Sequence, residues 1–247
     1  WWLLEAIRRD RPDTAMVVCS SDKAYGAQDL PYREDQALRP THPQEVAKAS
    51  QDMLTQSFGK VYGLKVAVTR CGNFFGPYDY NFTRIVPYVA RCCAEGVAPE
   101  LRSNGQFARD FLYIRDAARA HLMLAERLES DAALQGEVFN FSHEVNITVG
   151  DIVARIMHLA GAKLPPLVLN SLSHEIPDMK LSCDKARAVL GWVPETGFDD
   201  GLTETVAWYR DAYAPAEAGL QSRMLRALCL VPGELLFAAS GFAPAFA

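Results

Sequence analysis

Two short apolar runs, AMVVCSS at 15–21 and LKVAVTR at 64–70, flank a stretch from Pro43 to Tyr62 whose apolar residues recur at helical spacing. A short run without polar alternation suits a strand buried on both faces, while Val46, Met53, Leu54, Phe58 and Val61 mark the intervening helix. Strand, long helix, strand is the unit of a doubly wound α/β sheet, and such crossovers are almost always right-handed. The expected class is therefore α/β with a parallel sheet.

The remaining chain adds smaller elements. WWLLEAIRR at the start has helical periodicity, CGNFFGPYD reads as a Gly/Pro loop, and NFTRIVPYVARCCAEG as a helix interrupted by Pro87. SNGQFARDFLYI predicts a turn and a short strand, IRDAARAHLMLAERL a helix, and GEVFNFS a strand. Thr148, with Asp151 three residues on, caps a helix that ends at Gly161. PPLVLN reads as extended, and CDKARAVLGW and DDGLTETVAWYRDAY as two closing helices. The expected division is a sheet portion over 1–80 with returning segments near 110–145, and a smaller cap mainly over 81–213, interleaved with it. For the Ala-rich stretch 214–247 the expectation is a peripheral helix and a poorly ordered tail.

Composition excludes several classes of function. With 49% hydrophobic residues among 247, the chain can fill a globular core, and no apolar run reaches the length of a membrane span. A net charge of -5, with basic residues scattered along the chain, argues against nucleic acid as a partner. The six cysteines, Cys19, Cys71, Cys92, Cys93, Cys183 and Cys229, show no C-x-x-C spacing, so neither a zinc or other metal site nor a disulfide framework is expected, and reduced thiols in a cytoplasmic protein are.

Five stretches in order carry a resemblance: SSDKAYG (20–26), HPQEVAKAS (42–50), VTRCGNFFGP (68–77), ARDFLYIRDAARAHL (108–122) and KARAVLGW (185–192). Together they resemble the extended short-chain dehydrogenase/reductase superfamily, the NAD-dependent nucleotide-sugar epimerases and dehydratases, from residue 1 to about Tyr213. The fold this implies is a partial doubly wound, Rossmann-like sheet with an α/β substrate-binding cap. The triplet Ser21-Asp22-Lys23 looks most like the CDP-glucose 4,6-dehydratase branch, whereas epimerases usually have non-acidic residues after the serine.

The resemblance implies a reaction on a nucleoside-diphosphate hexose: oxidation at C4 by hydride transfer to NAD, elimination of water across C5 and C6, and return of the hydride to C6. It assigns Asp22 as the acid for the departing hydroxyl, Lys23 as the base or its aide, and Ser21 as a hydrogen-bond partner of the C4 oxygen. Those roles require a raised pKa for Asp22 and a lowered one for Lys23, which burial could supply. Lys48, Ser20 and Cys71 are placed beside the cofactor. Asn73, Asn81, Arg84 and Arg109 are placed on the substrate, Arg109 as a planar clamp on its diphosphate. A homodimer through helix 43–62 and its neighbour is also implied.

Two departures bear on activity. The superfamily signature Tyr-x-x-x-Lys appears here as P-Q-E-V-A-K, with Lys48 in place and Gln44 where the tyrosine belongs. A glutamine amide has no proton to exchange near neutral pH, and losing a positioned general base costs roughly 10²–10⁴-fold in rate. Second, no G-x-x-G-x-x-G occurs at a strand-to-helix turn, the device that sets backbone N–H groups against the cofactor pyrophosphate. In the superfamily it lies upstream of the stretches matched here, so the expectation is a sheet without its N-terminal strands, weak NAD binding, and no recovery of turnover from Gln44→Tyr alone. Three readings follow: an impaired 4,6-dehydratase, a 4-epimerase, or a catalytically silent homologue that keeps a sugar-nucleotide pocket or a dimer surface.

Overall fold

The computed structural model describes residues 1–171 and 176–213, so the expectation for 214–247 lies outside the described residues. Helix α1 (Trp2–Asp10) leads into strand β1 (Met16–Cys19), a short 3-10 turn (Asp22–Tyr25), helix α2 (Pro43–Tyr62) and strand β2 (Val66–Cys71). Strand β3 (Asn73–Phe75), helix α3 (Ile85–Glu95), and strands β4 (Glu100–Leu101), β5 (Ala108–Arg109) and β6 (Phe111–Tyr113) follow. Helix α4 (Ile114–Ser130), strands β7 (Val138–Phe141) and β8 (Ile147–Thr148), helix α5 (Val149–Ala160), strand β9 (Leu167–Val168) and helix α6 (Phe198–Tyr213) complete the order.

The central sheet is parallel, in the order β1-β2-β7. All six residues of β2 are buried, as a strand covered on both faces must be. Because side chains alternate across a strand, successive residues face different helices. Val66 and Met16 pack with Leu4 and Phe58, of α1 and α2, whereas Ala67 and Val17 pack with Ala117, Ala120 and Leu124 of α4. This alternation decides which functional side chains share a face.

Helix α2 starts and stops on identifiable signals. His42 Nδ1 accepts from the Gln44 N–H (3.3 Å), and the Glu45 carboxylate accepts from the N–H groups of His42 (3.1 Å) and Thr41 (2.9 Å), a reciprocal cap. Gly63 closes the helix in the left-handed conformation. A methyl group on Gly59 would stand 2.2 Å from the Gly136 nitrogen, so the helix can lie this close to the segment before β7 only with glycine there.

A second core joins α3, α5 and α6 around Phe75, Phe111, Tyr113, Ile152, Leu202 and Tyr209. Here the structure differs from several expectations. Pro87 does not interrupt α3; it is the third helical residue, where its missing N–H would have no intrahelical partner anyway. CGNFFGPYD is not only a loop, because β3 within it pairs in parallel with β6. SNGQFARDFLYI forms two strands rather than one, β5 antiparallel to β8 and β6 parallel to β3, whereas PPLVLN is extended as expected and contributes β9, parallel to β4. CDKARAVLGW winds as a π-helix over Ala186–Leu190. Among the described residues no helix is long and apolar enough to cross a membrane.

Candidate active site

Strand β1 ends at Cys19, and the chain beyond it turns toward α2. Ser20 Oγ donates to the Lys48 carbonyl (3.3 Å), and Lys48 Nζ donates to the Cys19 carbonyl (3.0 Å). An ammonium carries three N–H donors, so two remain for a ligand at the carboxyl end of β1. Gln44 lies one turn before Lys48 on the same face of α2, with its side chain exposed. No proton-exchanging group occupies the Gln44 position.

Ser21, Asp22 and Lys23 form the mouth of the 3-10 turn. Ser21 Oγ donates to Asp22 Oδ1 (2.8 Å) and accepts from the Lys23 N–H (3.2 Å). Asp22 is 2% exposed, and its Oδ2 is buried without a hydrogen-bond partner. Burial pushes this carboxyl up to about 6, against the Ser21 hydrogen bond and the charge of Lys23. Lys23 is exposed, so the burial expected to tune both groups reaches only Asp22.

Tyr25 follows the triplet but is held elsewhere. Its hydroxyl donates to Asn140 Oδ1 (2.8 Å), its ring stacks on Tyr32 (4.8 Å between centroids), and the Arg70 guanidinium lies over it at 4.6 Å. Arg70 in turn makes a two-pronged pair with Asp52 of α2, Nε to Oδ2 at 2.8 Å and Nη2 to Oδ1 at 2.9 Å, with both side chains buried. Burial raises the Tyr25 phenol well above its ordinary value. It is unsuited to replace the missing tyrosine.

The expected substrate residues fall into two groups. Asn73 Nδ2 donates to the Asp110 carbonyl (3.4 Å), and Arg109 donates to the carbonyls of Ala108 (2.8 Å) and Pro177 (3.3 Å). Arg109 and Asp110 both act electrostatically on the Asp22 carboxyl, which ties this group to the triplet. Asn81 and Arg84 form a separate cluster in the loop before α3. There Asp79 accepts from the Asn81 N–H (2.9 Å) and pairs with Arg84 (3.4 Å), while the Tyr209 hydroxyl donates to the Asp79 carbonyl.

Cys71 departs from its expected company. Thr69 and Cys71 share one face of β2, the face opposite Arg70, so the Cys71 thiol points toward α4 and away from Lys48. There it meets Cys19 and His121, with the three ligating atoms all within 4.8 Å of one another. The Cys71 hydrogen bond and His121 draw the Cys19 thiol below its usual range, while burial drives Cys71 well above it. Spacing could not reveal this cluster, since its members come from three separate elements. The strand alternation that puts Thr69 and Cys71 on one side was the available signal.

Three relatives resemble this chain, two of them through solved structures. The dTDP-glucose 4,6-dehydratase of Streptomyces niveus is 32% identical over 215 residues, 85% of this chain and 61% of the relative. The chain thus spans about three-fifths of that relative's length. The dTDP-glucose 4,6-dehydratase of Bacillus anthracis, solved in complex with NAD, superposes with a TM-score of 0.73 at 29% identity, over 84% of this chain and 65% of that one. The UDP-glucose 4-epimerase of Thermotoga maritima, solved with UDP-glucose, gives 0.74 at 26% identity, over 84% and 67%. Residues 1–142 match the model of the NAD dependent epimerase/dehydratase family, and the chain belongs to that family.

Proposed function

We propose that this chain binds a nucleoside-diphosphate hexose and retains the acid of a 4,6-dehydratase, but is impaired in the proton removal that opens the reaction at C4. The observation that carries the proposal is Asp22: a buried carboxyl with one unpartnered oxygen, raised to about 6, two residues past Ser20, which bonds the Lys48 carbonyl. A carboxylic acid that keeps its proton close to neutral pH suits protonation of the departing C6 hydroxyl. An epimerase needs no such acid, so the dehydratase reading is preferred to the 4-epimerase one.

The remaining roles follow from the geometry. The free donors of Lys48 suit the diol of a nicotinamide ribose, and Ser20 steadies the Lys48 backbone. When bound, NAD supplies the hydride acceptor. Ser21 donates to Asp22 and can turn to the C4 oxygen; Arg109 and Asn73 approach the substrate from the β5 and β3 side. Gln44 can hold a hydroxyl or a water but cannot take the C4 proton. The sheet portion 1–80, with its returning segments, serves the cofactor, and the cap within 81–213 serves the sugar nucleotide. The free thiols of the described cysteines suit a reducing cytoplasm.

The test is product analysis with NAD and CDP-glucose or dTDP-glucose, run beside a family member that has the tyrosine. A 4-keto-6-deoxy sugar formed more slowly by at least the roughly 10²–10⁴-fold that a lost general base costs is expected; a C4-inverted sugar, or full-rate turnover, refutes the reading. Calorimetric binding of the sugar nucleotide without any turnover would favour the silent homologue, and Gln44 is the observation on its side. We further propose a homodimer through α2, whose Val46, Met53 and Val61 are exposed. Sedimentation should show a dimer that Met53→Glu dissociates, and a monomeric wild type would refute it.

A further inference from the structure

On the α4 face of the central sheet, opposite Lys48 and the buried Arg70–Asp52 pair, lies the Cys19, Cys71 and His121 cluster. It brings together the end of β1, the end of β2 and the second turn of α4. In the parallel register Cys19 lies opposite Thr69, so its side chain shares the face of Thr69 and, two residues on, Cys71. His121 reaches down from α4, its Nε2 3.0 Å from Thr69 Oγ1 and its Nδ1 2.7 Å from the Ala117 carbonyl. A carbonyl can only accept, so the proton sits on Nδ1, and Nε2 is the lone-pair nitrogen; it accepts from the Thr69 hydroxyl, a contact that a bound ion would replace, and the three ligating atoms lie within 4.8 Å of one another. That is how metal-bound histidines are usually oriented, with the second nitrogen donating to a carbonyl or carboxylate.

A disulfide does not fit the same geometry. With paired strands about 4.8 Å apart and about 3.3 Å per residue, a two-residue offset puts the Cys19 and Cys71 Cα atoms roughly 8 Å apart, beyond what a disulfide spans without backbone movement. A metal ion fits better. Tetrahedral zinc at about 2.3 Å from sulfur and about 2.0 Å from nitrogen holds such atoms roughly 3.5–3.8 Å apart, a small contraction from their present separation of at most 4.8 Å. Two thiolates and an imidazole are a donor set for soft or borderline metals rather than for magnesium or calcium. Cys19 and His121 are only half-buried, so the cluster is not sealed from solvent.

We propose that Cys19, Cys71 and His121 form a zinc site, three protein ligands and one water, that ties the carboxyl ends of β1 and β2 to α4. Both cysteines bind as thiolates, so any proton still on sulfur leaves on binding, and the site locks the strand end from which Ser20, Ser21 and Asp22 project. Nothing in this site depends on the dehydratase reading.

The experiment is titration of the purified metal-free protein with Zn²⁺ by calorimetry and with Co²⁺ by absorption. One ion per chain is expected, with thiolate-to-cobalt charge-transfer bands and a thermal midpoint raised by Zn²⁺. Cys19→Ser and His121→Gln should each lower the affinity by more than the roughly 10–100-fold that loss of an outer partner costs, while Cys93→Ser, on α3, should change nothing. As a check free of folding effects, Zn²⁺ should protect Cys19 of the wild-type protein from alkylation, read by peptide mapping. Absence of the cobalt bands, unchanged affinity in Cys19→Ser, or unprotected Cys19 overturns the proposal.

Discussion

Replacing Asp52 by alanine should destabilise the protein by about 3–5 kcal/mol, because it leaves the Arg70 guanidinium charged and unpaired in the interior. Asp52 is 0% and Arg70 2% exposed, and the two-pronged pair is backed by Gln56 Nε2, which donates to Asp52 Oδ1 at 2.6 Å. The charge cannot escape by deprotonation, since arginine holds its proton at every accessible pH. Arg70 Nη1 is already buried without a hydrogen-bond partner, and the Tyr25 ring lies over the guanidinium at 4.6 Å. The comparison that isolates the charge is Asp52→Leu combined with Arg70→Met. Apolar side chains of similar volume often match or exceed a buried ion pair, so the double variant should regain most of the loss. Denaturant unfolding measures both. A single-variant loss under about 1 kcal/mol would mean that water reaches Arg70, as at a surface pair. The pair also matters to the site: Asp52 lies one turn after Lys48 on α2, so the clamp that fixes the helix to β2 fixes Lys48 over the end of β1.

Much of this was legible from residues alone, for physical reasons that also set the limit. The runs at 15–21 and 64–70 announced β1 and β2 because a strand buried on both faces has no polar face to disguise it. Pro43 and the apolar periodicity running to Tyr62 bounded α2. Short strands escaped: β3 and β5 have only three and two residues, too few for any period to show, and depend on partners dozens of residues away. Pro87 was misplaced by a few residues, enough to turn a tolerated first-turn proline into an apparent break. In the site, Ser21, Asp22 and Lys23 are contiguous, so their proximity was certain before any fold was known. That burial would single out Asp22 and leave Lys23 exposed was not, since burial is decided by chain that arrives from elsewhere. The Arg70–Asp52 pair and the Cys19, Cys71 and His121 cluster were invisible for the same reason. Each joins residues that only the sheet register and the helix faces bring together.

Asp22→Asn should stabilise the protein at alkaline pH and leave it nearly unchanged in acid. Burial raises the folded carboxyl to about 6, against roughly 3.9 for an unperturbed aspartate. The folded state therefore holds the proton more tightly than the unfolded one. Whatever stability the protonated group confers is complete below about pH 4 and is lost as pH rises through about 6. Two pKa units correspond to about 3 kcal/mol, the cost of keeping an ionised Asp22 buried once the pH is well above that range. Asparagine has nearly the same shape and no charge, so at about pH 8 the variant should gain up to about 3 kcal/mol, roughly 6–12 °C in thermal midpoint for a chain of this size. At about pH 4 the wild-type carboxyl is itself neutral, and the two curves should converge. Such a gain on removing a natural side chain is what a group kept for chemistry at the expense of stability predicts. Under the dehydratase proposal the same variant should still bind sugar nucleotide yet lose the elimination step, having no proton to give the departing hydroxyl. A thermal difference that stays constant from acid to alkaline pH would show that Asp22 does not titrate as a buried acid. A loss of stability at about pH 8 would show instead that its carboxylate finds a partner in the folded protein, and with it the acid role would fall.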